Sequence, residues 1–150
     1  EKLVVVVSAP RANEMIQENV RTWIELALQG DHKKLMIDTA EKGYTEKYLK
    51  KYRRMYPILG MVGKPKNYGR FLVNARAILD FNVQEELDRI TCSTYIIAGG
   101  VDKTVGVEAS YVMKERITKN ELFVYEDLGH AAYEEAKDFY HRVYEWLVKE

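Results

Sequence analysis

The chain has 150 residues, of which 47% are hydrophobic and 31% are charged, a composition typical of a folded globular domain rather than a disordered segment. Its 23 basic and 23 acidic side chains cancel, which excludes a general electrostatic attraction to nucleic acid or to a membrane surface. The single cysteine, Cys92, excludes an internal disulfide framework and favours a reducing compartment, so we expect a cytoplasmic protein.

The hydrophobic pattern predicts strands and helices along the chain. Five apolar residues from Leu3 to Val7, four of them valine, predict a first strand that is buried on both faces. Four helices are predicted next, over residues 13–28, 33–41, 45–56 and 69–81, and a short helical turn over 85–90. A strand over 94–98, a helix over 106–117, a strand over 122–125 and an amphipathic helix over 133–148 complete the series. The last helix is expected to turn four apolar side chains inward: Phe139, Val143, Trp146 and Leu147.

This order of elements predicts an α/β fold. Connections of the strand–helix–strand type build parallel sheets, so we expect three parallel strands with flanking helices and a four-helix cap inserted after the first strand. Residues 1–9 and 86–150 would form the core, and residues 10–85 the cap. The cap should lie over the edge of the sheet where ligands bind in open α/β folds. It is also basic, because residues 42–76 carry ten lysines or arginines against one acidic residue.

A titratable side chain follows each of the last two strands. Residues 95–102 read YIIAGGVD and end in Asp102, whereas residues 121–130 read ELFVYEDLGH and end in His130. Because the carboxyl ends of parallel strands meet at one edge of the sheet, Asp102 and His130 are expected to lie close together. His32 and His141 are expected on helix surfaces, without a catalytic role.

Three stretches of the sequence resemble a known family. They read VVVVSAPR at 4–11, IIAGGVDKTV at 96–105 and DLGHAAYEEA at 127–136. With them the chain resembles the C-terminal part of an α/β-hydrolase-fold protein whose helical cap follows the sixth strand. The resemblance covers essentially all 150 residues, but only the second half of the family's usual length. The chain also begins with Glu rather than Met, which fits a fragment, an excised piece or a processed product of a longer protein.

The resemblance implies Ser-His-Asp acyl transfer, without a metal or other cofactor. Asp102 would orient His130, and His130 would take the proton from the nucleophile and later activate water. The family's nucleophile stands in Gly-x-Ser-x-Gly, which this sequence lacks, because Ser8, Ser93 and Ser110 have no glycines at that spacing. The oxyanion-hole amides of the family would also lie outside this chain. We therefore expect the chain alone to be inactive.

Tyrosines recur at every fourth position in one stretch of the predicted cap. The four are Tyr44, Tyr48, Tyr52 and Tyr56. This spacing places them on one helical face, where they could form an aromatic wall of a substrate pocket. They could equally pack a lid helix against its neighbours, with the basic residues forming the solvated face.

The first strand has no predicted partner on one side. An apolar, β-branched strand edge is a pairing hazard, so we expect another chain to cover it. That chain would be a second copy, pairing antiparallel through Leu3 to Val7 in a homodimer, or an N-terminal hydrolase half in trans. Three hypotheses follow: the acid and histidine half of a serine hydrolase acting on a small acyl compound, a non-catalytic homodimeric module for small-molecule binding or assembly, or an inactive truncated fragment.

Overall fold

A computed structural model describes residues 1–149 and contains a three-stranded parallel sheet. The strands stand in the order β1 (Lys2–Val6), β2 (Ser93–Gly99) and β3 (Asn120–Tyr125). The register places Val5 beside Ile96 and Ile96 beside Leu122, so the strands run together toward one edge. The predicted sheet of three parallel strands is confirmed. Within residues 1–149, none of the helices is both long enough and apolar enough to span a membrane.

Four α-helices lie between β1 and β2. They are α1 (Glu14–Leu28), α2 (His32–Gly43), α3 (Glu46–Tyr52) and α4 (Gly69–Leu79), with 3-10 turns over Arg53–Ile58 and Gln84–Arg89. This cap joins the sheet where Arg11 and Asn82 form an antiparallel bridge, so the chain enters and leaves the cap side by side.

Side chains before three of the cap helices define where each helix begins. Asn13, Asp31 and Thr45 each accept a hydrogen bond from a backbone N–H in the first turn of α1, α2 and α3. The predicted helix over 45–56 is too long, because α3 ends at Tyr52 and continues only as a 3-10 turn. Pro57 lies in that turn, and its missing N–H removes the bond that an α-helix needs there.

The sheet is covered on both faces. Ile96 packs with Leu87, Met113 and Ile117 on the face covered by α5 (Glu108–Arg116). Ile97 lies on the opposite face, because successive strand residues alternate. It packs there with aromatic residues that include Phe139 and Trp146 of α7 (Phe139–Val148). Ile96 and Ile97 are both 0% exposed, so the central strand forms the middle of the core.

The last helix is not the single helix predicted over 133–148. It is divided into α6 (Ala132–Glu135) and α7, because Ala136 adopts an extended conformation with ψ of 120°. The break lets Phe139 enter the core. Leu147 is 44% exposed rather than inward, since it is rotated by about 100° from its buried neighbour Trp146.

His32 is buried, in contrast to the surface position expected for it. It is 5% exposed, and both of its ring nitrogens are hydrogen-bonded. Nε2 lies 2.8 Å from the carbonyl of Val62 and Nδ1 lies 2.9 Å from the hydroxyl of Tyr68. Since a carbonyl can only accept, Nε2 donates to Val62 and Nδ1 accepts from Tyr68. His32 therefore holds the segment between α3 and α4 against α2.

Candidate active site

The structure brings Asp102 and His130 together at the edge of the sheet. Asp102 follows β2, His130 follows β3, and Nδ1 of His130 lies 2.9 Å from Oδ2 of Asp102. The Asp102 side chain is 2% exposed, whereas that of His130 is 29% exposed. The acid is thus inside the protein, and the imidazole reaches from it toward the surface.

The rest of the Asp102 carboxylate is satisfied by its own loop. Oδ1 accepts hydrogen bonds from the backbone N–H groups of Thr104 at 2.7 Å and Val105 at 3.0 Å. A carboxylate oxygen accepts hydrogen bonds and does not donate them. Nδ1 of His130 therefore carries the proton, and Nε2 is left free to accept one.

Two glycines allow the loops that carry this pair to lie close together. A Cβ at Gly99 would stand 2.2 Å from the carbonyl oxygen of Gly129 and 2.7 Å from that of Leu128. A Cβ at Gly100 would stand 2.5 Å from the carbonyl oxygen of Glu126. These contacts exclude any side chain, so glycine is required at both positions for Asp102 to reach His130.

An apolar cavity of about 510 Å³ lies next to His130, between the cap and the edge of the sheet. Ile16, Val20 and Trp23 of α1 line it on one side, and Tyr133 and His130 on the other. A cavity of this size that is mostly apolar and has few polar groups is typical of a small-molecule site.

In the sequence, the α1 side chains of this wall are apolar positions at helical spacing. Their spacing over Ile16, Val20 and Trp23 is the same whether they meet the core or border a cavity. The sequence signal was therefore present, but the placement of the cap was needed to interpret it.

Of the four regularly spaced tyrosines, only Tyr44 lines the cavity. Tyr44 and Tyr48 stack at 4.7 Å between ring centroids, and Tyr48 and Tyr52 stack at 4.6 Å. The hydroxyl of Tyr56 donates to Glu41 within the cap. Tyr44, Tyr48 and Tyr52 thus form a stack, with Tyr44 just before α3 and the other two within it, and the aromatic wall around a substrate stays a prediction.

Tyr44 also bonds to the core. Its hydroxyl donates to Oε2 of Glu134 at 2.6 Å. Burial, followed by that hydrogen bond, raises the pKa of Tyr44 well above its usual value. The hydroxyl consequently stays protonated at neutral pH and keeps donating to Glu134.

The three serines among residues 1–149 lie in different surroundings. Ser8 lines the cavity, Ser93 is exposed at the start of β2 and Ser110 is buried in α5. None of them forms a hydrogen bond with His130 in the described part of the chain. The same residues contain no group of three His, Cys, Asp or Glu side chains that could hold a metal ion.

Comparison with solved structures identifies the fold. Over 100% of its length the chain superposes on 57% of MGS-M2, an α/β hydrolase from a Medee basin deep-sea metagenome library, with 18% identity and a TM-score of 0.85. It matches 57% of an esterase from Exiguobacterium antarcticum with 22% identity and a TM-score of 0.82. It also matches 56% of the enol-lactonase from Burkholderia xenovorans LB400 with 15% identity and a TM-score of 0.83. No protein-family profile and no curated protein sequence matches the chain.

The chain therefore has the fold of part of an α/β hydrolase. It spans somewhat more than half the length of these structural neighbours, which is consistent with the C-terminal half that the sequence predicted. At these identities the likeness concerns the fold, and activity has to be argued from the site.

Proposed function

We propose that this chain is the acid- and histidine-bearing portion of a serine-type hydrolase acting on a small ester, lactone or related acyl compound. The hydrogen bond of 2.9 Å between His130 and Asp102 carries this proposal. It leaves Nε2 of His130 able to accept the proton of an attacking hydroxyl and to return it to the leaving group.

The surroundings of the pair support the same chemistry. The apolar cavity beside His130 would hold the acyl or alcohol part of a substrate and exclude water from it. Two of the structural neighbours are named an esterase and an enol-lactonase, and both names denote cleavage of an ester bond. The nucleophile and the oxyanion-hole amides would come from residues outside the 150 of this chain.

The test is to express this chain as one protein together with the sequence encoded directly upstream of it, and to measure hydrolysis of p-nitrophenyl acetate and butyrate. We expect activity that falls by several orders of magnitude in His130→Ala and Asp102→Ala, because both act on the same proton transfer. His141→Ala is the matched control, since this histidine is exposed on α7, where it pairs with Glu145. Joined protein that is inactive, or activity that survives His130→Ala, would contradict the proposal.

A second candidate function, a homodimeric module without catalysis, is favoured by the open edge of β1. In the described sheet β1 pairs only with β2. The N–H of Val7 donates to Ile97, and N–H groups alternate along a strand, so those of Val4 and Val6 point to the open edge. An antiparallel copy of β1, or an N-terminal hydrolase half in trans, would pair with them.

Sedimentation of the chain separates the two candidates. A homodimer through β1 should dissociate in Val4→Pro, which removes one outward donor and is tolerated on an edge strand. A monomer at all concentrations would exclude the homodimer and leave the N-terminal half as the partner.

A further inference from the structure

The cap bonds directly to the loop that carries the acid. Asn19 of α1 is 5% exposed, and its side-chain amide donates to the carbonyls of Lys103 at 2.9 Å and Thr104 at 3.1 Å. Asn13 donates in the same way to the carbonyl of Val105 at 2.7 Å. The N–H groups of Thr104 and Val105 bind Asp102, so this loop is held by Asp102 on one side and by two cap amides on the other.

The cap also bonds to the loop that carries the histidine. The N–H of Ala131, next to His130, donates to the carbonyl of Gly43 at 2.8 Å. Glu135 of α6 accepts two bonds from Thr45, from the backbone N–H at 2.9 Å and from the hydroxyl at 2.5 Å. The connection between α2 and α3 is therefore hydrogen-bonded to both ends of the segment 131–135, which follows His130.

The core and the cap both contribute to fixing these two loops. Within the core, the N–H groups of Gly100 and Val101 donate to the carbonyls of Tyr125 at 2.9 Å and Leu128 at 3.0 Å, and His130 bonds to Asp102. The cap contributes seven further hydrogen bonds: three from asparagine amides to the acid loop, and four between residues 43–45 and residues 131–135. Several are made by buried or half-buried groups, whose loss leaves a polar group unsatisfied.

We infer that the cap is the scaffold that sets the geometry of the Asp102–His130 pair, and that Asn19, Thr45 and Glu135 are positioning residues for it. Movement of the cap away from the sheet would break bonds at both loops and disturb the pair. The catalytic meaning of this inference rests on the proposed function, but the geometry can be measured without any reaction.

The experiment uses the chain itself and the Nδ1 proton of His130, observed by NMR. A proton shared with a buried carboxylate gives a far-downfield resonance that exchanges slowly with water, and Asp102→Ala assigns it by removing it. Asn19→Asp turns a donor into an acceptor that faces two carbonyls. Thr45→Val removes the hydroxyl bond to Glu135 together with the weaker bond of 3.3 Å by which Thr45 caps α3. We expect each to raise the exchange rate of this proton by about fivefold or more, the factor produced by losing one hydrogen bond.

Matched controls separate positioning from general loosening. Asn74→Asp makes the same charge change on an exposed residue of α4, and Thr45→Ser retains the hydroxyl, so both should leave the resonance unchanged. Backbone spectra show that each variant is folded, and Thr45→Val remains the test if Asn19→Asp does not fold. Unchanged exchange in the folded variants would overturn the inference and leave the proposed function intact. Absence of the resonance from the unaltered chain would instead count against the Asp102–His130 pair itself.

Discussion

Gly99 provides the sharpest test of how the acid and histidine loops meet. Gly99→Ala would place a Cβ within 3.0 Å of three backbone atoms of residues 128 and 129, at 2.2, 2.7 and 2.8 Å. These are backbone atoms, so the clash cannot be relieved by a side-chain rotation. Overpacking of a tight site costs about 1–3 kcal/mol, and contacts this short put Gly99→Ala at about 3 kcal/mol.

Urea denaturation, followed by circular dichroism, measures this loss. With a slope of about 2 kcal/mol per molar urea, a loss of about 3 kcal/mol lowers the midpoint by roughly 1.5 M. Gly43→Ala is the control, because it adds the same methyl group at the end of α2 with no atom within 4 Å. It should leave the stability unchanged or raise it by up to about 1 kcal/mol. An unshifted midpoint in Gly99→Ala would show that the two loops do not lie as close as the structure places them.

Asp102→Ala should lower the free energy of unfolding by about 1–3 kcal/mol, because two backbone N–H groups lose their acceptor. Asp102→Asn should keep most of that stability but move the imidazole proton of His130 to Nε2, which ¹⁵N chemical shifts report. Trp146→Ala should cost about 3–5 kcal/mol in urea denaturation, since this buried ring stacks on Tyr95. Hydrogen bonds from Arg53 lower the pKa of Glu41 below its usual 4.5, so their contribution to stability is present above that pH and is lost as the pH falls through the folded-state pKa. Arg53→Gln should reduce this acid sensitivity in thermal unfolding measured over a pH series.

The positions of Asp102 and His130 were predictable because they depend on local patterns. Each follows a short apolar strand, and one helix separates the two strands, which requires a right-handed parallel connection. Neighbouring parallel strands then present the residues after their carboxyl ends at one edge. The pattern does not predict how closely the two loops approach each other. That close approach is allowed by the absence of a side chain at Gly99.

The buried state of His32 and the break before Phe139 were not predictable in this way. His32 is held by Tyr68, 36 residues away, and no local pattern connects the two. The sequence over 133–148 is amphipathic throughout, so its periodicity predicts one helix. The break at Ala136 arises from tertiary packing, which places Phe139 in the core beside Ile97.

Residues of this chain make several contacts that orient the acid and the histidine. The carboxylate of Asp102 is bound by its own loop and by His130, and the cap bonds to both loops. A nucleophile supplied from outside would therefore meet a pair that is already arranged, and it would need only to bring a hydroxyl to Nε2 of His130. On this reasoning the Nδ1 proton of His130 should have the same chemical shift in the chain alone and in the joined protein without substrate. A shift that appears only after joining would mean that the missing part also orients the pair.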